Sequence, residues 1–315
     1  LTMDVGNATS VNQFILMGLT DVPWLQKLLF VSFLLFYEIN IAGNLLIMTL
    51  AIRDTALHAP MYFLLANLSF LDIWFSSAAV PKMLVGFLGD NIISISGCIT
   101  QMHFFHFLGC AEGVLLTTMG YDRYVAICSP LRYNSIMNRF FCIQLVLASW
   151  LIGFFSALIL SIMSSMLPFC NLNKVQHFFC DVKPVIKLAC SNTFINEIIV
   201  AALSGLISIC AFSLTSLSYF YIIVHLFKAR SSQRSMKAFS TCSSHLTIVI
   251  LFYGTAMCTY IGPSTEDSIQ KDKYDKYLAL LYTVLTPLLN PFIYTLRNQD
   301  VKEAAKKLIY QNHHF

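Results

Sequence analysis

Long apolar runs dominate the chain. Seven stretches are long and nearly free of charge, and segments containing proline, glycine or charged residues separate them. A helix needs about 20 apolar residues to cross a hydrocarbon core roughly 30 Å thick, whereas the strands of a membrane barrel are shorter and alternate in polarity. The pattern therefore predicts seven membrane-spanning helices, at 28–52, 61–87, 95–127, 140–163, 197–227, 239–261 and 277–296.

Composition supports this interpretation. Of the 315 residues, 57% are hydrophobic and only 11% are charged, whereas soluble domains carry about 25% charged residues. The net charge of +4, without a block of like charges, argues against disorder and nucleic-acid binding. We predict one all-α membrane domain over 1–315, with an extracellular N-terminus at 1–23, a helix bundle at 28–296 and a cytoplasmic tail at 297–315.

The distribution of basic residues predicts the orientation. Most of the twenty Lys and Arg residues fall in the loops and tail that become cytoplasmic if the N-terminus is outside. Asn7-Ala8-Thr9 is then an N-glycosylation acceptor on the outer side. Residues 1–23 lack the features of a cleavable signal peptide, so the first span is expected to direct insertion itself.

Four of the ten cysteines fall on the predicted outer side. Cys98 begins the third span, and Cys170, Cys180 and Cys190 lie in the long loop after the fourth. Oxidation is allowed there, so two disulfides are expected, and three pairings are open. The remaining six cysteines are expected mainly to pack as small apolar residues.

Six ordered motifs indicate the family. They are LHAPMYFLLANLSFLD (57–72), MGYDRYVAICSPLRY (119–133), HFFCD (177–181), SYFYI (218–222), KAFSTCSSHL (237–246) and PLLNPFIYTLRN (287–298). Together they strongly resemble the olfactory receptors, which are rhodopsin-like (class A) G protein-coupled receptors. The resemblance extends from Asn7 to the basic tail, and the outer-loop pattern is typical of the terrestrial-vertebrate (class II) branch.

The resemblance implies a seven-helix bundle with a short amphipathic C-terminal helix and disulfides Cys98–Cys180 and Cys170–Cys190. It implies a non-enzymatic odorant receptor that binds a small volatile ligand and activates a stimulatory, olfactory-type G protein, raising cyclic AMP. The expected location is the plasma membrane of olfactory cilia, with accessory trafficking proteins as further partners. No cofactor is expected to be required.

The resemblance also places the ligand among residues of the outer half of the bundle. These are Phe105, His106, Gly109, Cys110, Ser204, Ile207, Ser208, Tyr253, Ala256, Tyr260 and Thr283. Such a mostly apolar set with a few hydroxyls suits a small hydrophobic molecule. An aminergic receptor would need a carboxylate at Phe105, and a retinal pigment would need a lysine within the seventh span.

A second group is expected to serve G-protein coupling and activation. It comprises Asp122, Arg123, Tyr124, Tyr219, His245, Asn290, Pro291 and Tyr294. Asp122 is expected to pair with Arg123 until the helices move apart. Without the neighbouring motifs, Arg123 would be interpreted as a residue at a helix end whose side chain snorkels to the membrane surface. His245 and the basic stretch at 228–237 are expected to contact the G protein, and the alternative is that they form a solvated basic loop on the inner side. Pro287 and Pro291 predict a bend in the seventh span, either as a hinge or as a static kink.

Ionisable residues within the spans are candidates for ion binding. Asp72 and Glu112 cannot easily both ionise in an apolar bundle without a cation or a shared proton. The resemblance implies that they hold a sodium ion in the inactive state, and the alternative is a pair of neutral, hydrogen-bonded acids. Glu38 departs from the family, and is expected to face either a polar interior or lipid.

A less favoured hypothesis is a copper or zinc site for sulfur odorants. His103, His106 and Cys110 are spaced to share one helix face, and imidazole and thiolate bind these metals. The alternative is a hydrogen-bonding histidine beside a packing cysteine. A transporter or a membrane enzyme is disfavoured, because neither a polar stripe through the spans nor a catalytic motif is visible.

Overall fold

Each apolar run forms a helix in the computed structural model. The structure describes residues 12–312 except 171, 229–231 and 261–267, and for parts of the last four helices it describes the backbone alone. The long helices are α1 (Pro23–Arg53), α2 (Pro60–Phe87), α3 (Ile95–Cys128), α5 (Arg139–Ser165), α7 (Phe194–Lys228) and α8 (Ser232–Tyr260). The seventh span consists of α9 (Ser268–Leu280), a π-helical turn (Leu281–Leu285) and α10 (Thr286–Arg297). Short helices α4 (Tyr133–Ile136) and α6 (Val182–Ile186) lie in loops, and α11 (Gln299–Asn312) ends the described chain.

Five helical segments of the described chain are long and apolar enough to cross a bilayer. They are Pro23–Arg53, Pro60–Phe87, Arg139–Ser165, Phe194–Lys228 and Tyr274–Thr295. α3 spans 34 residues but carries Glu112, Asp122 and Arg123, and the apolar part of α8 is confined to His245–Thr259. These two helices complete the predicted bundle, because packing against neighbouring helices shields their polar groups from lipid.

Local sequence explains where the helices begin. Pro23 and Pro60 occupy the first turns of α1 and α2, where the absent proline N–H costs no helical hydrogen bond. The Ser94 hydroxyl accepts a hydrogen bond from the Gly97 N–H at 3.0 Å, and Asn138 caps α5 in the same way. Predicted and observed spans agree best for α2 and α3, whereas α8 and α9 begin earlier than predicted.

A small sheet, which the sequence did not predict, covers one end of the bundle. Strand β1 (Gln13–Leu16) lies between antiparallel β2 (Ile92–Ser94) and parallel β3 (Lys174–Val175). Disulfides Cys98–Cys180 and Cys170–Cys190 join the same region, with the pairing that the family resemblance implied. This end is called the disulfide end below, and the opposite end is called the Arg123 end.

The seventh span is irregular where its prolines lie. Pro291 cannot donate a backbone hydrogen bond to the Pro287 carbonyl one turn earlier. That carbonyl instead accepts a hydrogen bond from the Asn44 side chain on α1, at 3.4 Å. Gly43 allows this approach, because a β-carbon there would lie 2.9 Å from the Pro291 side chain. The proline bend is therefore tied to α1 by a side-chain hydrogen bond.

The C-terminal helix α11 is amphipathic, as predicted. The Asn298 side chain caps it by accepting from the Asp300 and Val301 N–H groups. Val301 and Ala304 are buried against the bundle, whereas Lys302, Lys306 and Lys307 are exposed. Of the two alternatives for Glu38, the structure shows the exposed one, since its side chain lies on the outer face of α1.

Candidate functional site

A cavity lies between α3, α5, α7 and α8, toward the disulfide end. Its volume is about 100 Å³, counted as the space open to the centre of a water-sized sphere. Nine of the eleven predicted ligand residues line it: Phe105, His106, Gly109, Cys110, Ser204, Ile207, Ser208, Tyr253 and Ala256. The structure thus gathers residues from three separate helices around one space.

Two predicted ligand residues are not placed at the cavity. Thr283 is buried but does not line it, and the neighbouring Tyr282 does. Thr283 was expected from the family resemblance, and both residues belong to the π-helical turn Leu281–Leu285, which alters which side chains of the seventh span face the cavity. The side chain of Tyr260 lies outside the described residues, as does the predicted glycosylation site Asn7.

One wall of the cavity consists of α5 residues that were not predicted. Ser156, Ala157 and Leu160 of α5 line it, together with Phe75, Gly113, Leu203, Phe252 and Tyr282 from other elements. The available signal was the small residues Ser149, Gly153 and Ser156, which recur at helical spacing in a helix otherwise rich in large apolar residues. Small residues allow close helix approach in membranes.

Glycines on α3 set the shape of the cavity. A β-carbon at Gly109 would lie 3.0 Å from the Phe75 ring, and one at Gly113 would lie 3.1 Å from the Phe252 ring. Phe75 in turn stacks on Phe105, with ring centroids 4.8 Å apart. The glycines therefore let aromatic rings pack directly on the α3 backbone.

Two serines of α7, Ser204 and Ser208, line the cavity. Ser204 and Ser208 of α7 make no hydrogen bond with the described part of the chain. By contrast, the Tyr253 hydroxyl donates to the Gly113 carbonyl at 2.5 Å, and the Ser156 hydroxyl donates to the Cys110 sulfur at 3.4 Å. The α7 serines are thus the groups best placed to hydrogen-bond a ligand.

The long loop after α5 is held over the cavity by polar contacts. Asp181 Oδ1 lies 3.3 Å from His106 Nε2, and His106 Nδ1 lies 2.9 Å from the Met102 carbonyl. Burial acts to raise the pKa of the Asp181 carboxyl, but hydrogen bonding to His106, the nearby histidine charges and the Val182 N–H together lower it below the usual 3.8. Lys183 also donates to the Thr259 carbonyl, at 2.6 Å, which ties the loop to α8.

The three candidate copper or zinc ligands have separate partners. His103 Nδ1 lies 3.2 Å from the Ser161 hydroxyl on α5, whereas His106 faces Asp181 and Cys110 accepts from Ser156. Over the described residues, no group of three or more His, Cys, Asp or Glu side chains could hold a metal ion. The arrangement favours the hydrogen-bonding alternative.

A buried polar cluster lies deeper in the bundle. Asn290 donates to both carboxylate oxygens of Asp72, at 2.9 Å each. The Glu112 carboxyl lies within hydrogen-bonding reach of the Asp72 carboxyl. Among the described residues, no N–H or hydroxyl group donates to either Glu112 oxygen or to the Asn290 amide oxygen, all of which are buried. Unpartnered acidic oxygens in an apolar bundle are costly, and a hard cation is the kind of ligand that satisfies them. The arrangement therefore fits either a sodium ion or a proton shared between the two acids, and both alternatives stay open.

Asp122 is paired differently from the prediction. Its carboxylate accepts a hydrogen bond from the Tyr133 hydroxyl at 2.8 Å, and no ion pair joins it to Arg123 within the described residues. Burial and the Asp122 charge raise the pKa of the Tyr133 hydroxyl, which remains a donor. The guanidinium of Arg123 contacts the Met61 sulfur instead. Tyr133, which follows α3, therefore takes the place beside Asp122 that Arg123 was expected to occupy.

His245, which was expected to contact the G protein, is buried in this structure. Its side chain is only 2% exposed, and its Nδ1 lies 2.7 Å from the Tyr219 hydroxyl of α7. His245 thus joins α7 to α8 inside the bundle and cannot touch a G protein in this conformation. Tyr294 is also buried, and its hydroxyl has no hydrogen-bond partner in the described part of the chain, whereas Tyr124 packs beside Tyr221. The side chains of 229–237 lie outside the described residues.

Comparison with known proteins decides the family. The olfactory receptor family model matches residues 33–312. Human olfactory receptor 12D1 is 52% identical over 303 residues, covering 96% of this chain and 94% of that receptor. Human olfactory receptor 12D2 is 50% identical over 305 residues, 96% of this chain and 98% of that receptor. Mouse olfactory receptor 5AR1 is 44% identical over 308 residues, 98% of each chain.

The chain belongs to the olfactory receptor family. It is therefore a multi-pass membrane receptor rather than an enzyme, as the ordered motifs had predicted. The odorant-receptor function follows from the same membership at the level of the family. The assignment to the terrestrial-vertebrate branch stays a prediction.

Proposed function

We propose that this olfactory receptor binds a small, hydrophobic, volatile molecule in the cavity and activates a stimulatory, olfactory-type G protein, raising cyclic AMP. The observation that supports the ligand class is the cavity itself. Its walls are largely apolar, and the Ser204 and Ser208 hydroxyls have no hydrogen-bond partner among the residues that the structure describes. Apolar walls bind by burying surface, and one or two hydrogen bonds fix the ligand's orientation.

The position of the cavity suggests how binding changes the bundle. The ligand would touch α3, α7 and α8, and α7 and α8 are also joined at the Arg123 end through Tyr219 and His245. A ligand shifts the equilibrium only by its difference in affinity for the two states. An odorant that fits better when α8 moves outward would thereby favour exposure of Arg123 to the G protein.

The buried acidic cluster extends the proposal to a sodium ion. Asp72 and Glu112 would hold the ion, with Asn290 beside it, and the positive charge would offset two carboxylates in a low dielectric. Bound sodium would stabilise the inactive arrangement of α2, α3 and α10. Copper or zinc at His106 and Cys110 remains a weaker proposal.

Orientation and location complete the proposal. The disulfide end would be extracellular, because disulfides persist in oxidising compartments and the basic loops belong to the opposite end. The Arg123 end would face the G protein in the cytoplasm. The receptor would act in the plasma membrane of olfactory cilia, with accessory proteins assisting its transport to the surface.

A cyclic-AMP assay tests the proposal. Cells expressing the chain with an olfactory-type G protein are exposed to a chemically broad odorant panel. Arg123→Ala should abolish the response at unchanged surface expression, whereas Arg53→Ala, which removes an exposed charge at the same end, should retain it. Tyr260→Phe should alter potency selectively among odorants. A response that survives Arg123→Ala, or ligand-dependent ion flux without G protein, would contradict the proposed coupling.

A further inference from the structure

A group of hydroxyls crosses the bundle directly below the cavity. Thr117 of α3 lies one turn beyond Gly113, which lines the cavity wall. The Thr117 Oγ1 is 3.0 Å from the Tyr253 hydroxyl of α8 and 3.3 Å from the Thr215 hydroxyl of α7. It is also 3.2 Å from the carbonyl oxygen of Ala211 on α7. A single side chain of α3 is therefore within hydrogen-bonding distance of α7 and α8 at the same time.

The number of hydroxyl protons limits how these groups can pair. Thr117, Thr215 and Tyr253 each carry one. The Tyr253 hydroxyl donates to the Gly113 carbonyl at 2.5 Å, so its oxygen is left to accept. Thr117 can then donate to Tyr253 or to the Ala211 carbonyl, but not to both. When it donates to Tyr253, Thr215 can donate to Thr117, and a continuous chain of hydrogen bonds runs from α7 through α3 to α8. Hydrogen bonds that run in one direction strengthen one another.

The same two helices are joined again nearer the Arg123 end. Thr215 lies one turn before Tyr219 on α7, and the Tyr219 hydroxyl lies 2.7 Å from His245 Nδ1 on α8. Tyr253 follows His245 by about two turns of α8. Polar contacts thus join α7 to α8 at two levels, through Thr117 below the cavity and directly near Arg123. An outward movement of α8 has to break both.

We infer that Thr117 is a positioning residue that holds α8 in the arrangement seen here and thereby sets the basal activity of the receptor. This role rests on the proposed function, in which outward movement of α8 exposes Arg123 to the G protein. Thr117 is not among the described residues that line the cavity, so its hydroxyl acts through Tyr253 and not on the odorant. Loss of that hydroxyl removes the connection at this level, and the equilibrium shifts toward the state in which α8 has moved.

The test compares matched substitutions of two neighbouring threonines. Thr117→Val removes the shared hydroxyl, whereas Thr118→Val removes a hydroxyl that donates to the Leu115 carbonyl of its own helix, at 2.8 Å. The energy of an interhelical hydrogen bond in a membrane corresponds to about a threefold to twentyfold change in an equilibrium. Thr117→Val should raise the ligand-free cyclic-AMP signal per surface receptor by that factor, counted above the signal of Arg123→Ala. Thr118→Val should leave it unchanged, and Thr117→Ser, which retains the hydroxyl, should keep the wild-type level.

Two further measurements separate this role from a general loss of structure. Tyr253→Phe removes the other end of the shared hydrogen bond, so adding Thr117→Val to it should raise the basal signal by a smaller factor than in wild type. The position of α8 is measured without G protein or ligand, by pulsed electron paramagnetic resonance of the full-length receptor in lipid nanodiscs. Spin labels are introduced through noncanonical amino acids at Arg139 of α5 and Ser235 of α8, both at the Arg123 end. Thr117→Val should increase the population with the longer distance between the labels.

The outcomes distinguish this role of Thr117 from the proposed coupling. A longer-distance population that rises without a rise in cyclic AMP would support the inference and contradict the coupling. An unchanged population in Thr117→Val, or equal effects of Thr117→Val and Thr118→Val, would overturn the inference. So would fully multiplicative effects of Thr117→Val and Tyr253→Phe on the basal signal, because the two hydroxyls would then not act through one hydrogen bond.

Discussion

The close contact between α3 and α5 at Gly153 gives a quantitative prediction about stability. A β-carbon at Gly153 of α5 would lie 2.6 Å from the Phe107 carbonyl oxygen and 2.9 Å from the Ala111 nitrogen of α3. Both are backbone atoms in regular helix, so they cannot rotate away as a side chain can. Gly153→Ala must therefore push α3 and α5 apart until these contacts reach ordinary van der Waals distances of at least 3.4 Å.

The expected cost can be compared with a matched substitution. Overpacking of a closely packed interior costs about 1–3 kcal/mol, and the gain in helix propensity from Gly to Ala returns up to about 1 kcal/mol. Gly153→Ala should thus lower the free energy of unfolding. At Gly254 of α8, a β-carbon would meet nothing within 4 Å. Gly254→Ala should therefore leave stability unchanged or raise it by up to about 1 kcal/mol.

Thermal unfolding of the purified receptor in lipid nanodiscs measures both effects. The two substitutions add the same methyl group to the same kind of backbone, so their difference reports the space around it. The predicted order of unfolding midpoints is Gly153→Ala, then wild type, then Gly254→Ala at or above wild type. Equal midpoints for Gly153→Ala and wild type would show that α3 and α5 are not in the close contact described.

Three further predictions follow from named contacts. Asp181→Asn should loosen the attachment of the loop above the cavity and lower the free energy of unfolding by about 1–3 kcal/mol. Because the pKa of Asp181 is lowered in the folded state, the difference between wild type and variant is fully present above pH 3.8 and should shrink as acid protonates the wild-type carboxyl. Unfolding measured as a function of pH tests this. Pro291→Ala restores a backbone donor toward the Pro287 carbonyl, so it should stiffen the seventh span and reduce the maximal cyclic-AMP response at equal surface expression, a result that a static kink would not give. Replacing external and internal sodium by an organic cation should raise agonist potency in wild type but not in Asp72→Asn, and identical shifts in both would exclude the proposed ion site.

The helix bundle was predictable because each membrane span can be recognised from its own residues alone. A run of about 20 apolar residues indicates a membrane helix without knowledge of its neighbours. The sheet at the disulfide end was missed because β1, β2 and β3 have only four, three and two residues, too few for a period to be visible. Their pairing depends on the loops that the helices and disulfides bring together.

The candidate site was predictable in outline but not in its partners. The family resemblance identified nine residues that line the cavity, whereas the contribution of α5 required the observed packing of Gly153 against α3. Asp122 was expected beside Arg123 because the two are adjacent in sequence. Adjacent side chains on a helix point in different directions, so Asp122 and Arg123 do not face each other. The Asp122 carboxylate accepts a hydrogen bond from the Tyr133 hydroxyl instead.

The central claim is that the cavity beside α7 holds the odorant, and the Ser204 and Ser208 hydroxyls test it most directly. With any agonist that carries a hydrogen-bonding group, Ser204→Ala or Ser208→Ala should raise the half-maximal concentration by about twofold to twelvefold, the cost of one net hydrogen bond. Ser218→Ala on the same helix, where the hydroxyl is exposed and already bonded to the Leu214 carbonyl, should leave it unchanged. Unaltered potency in both cavity variants, across agonists of different shape, would contradict the assignment of this cavity as the odorant site.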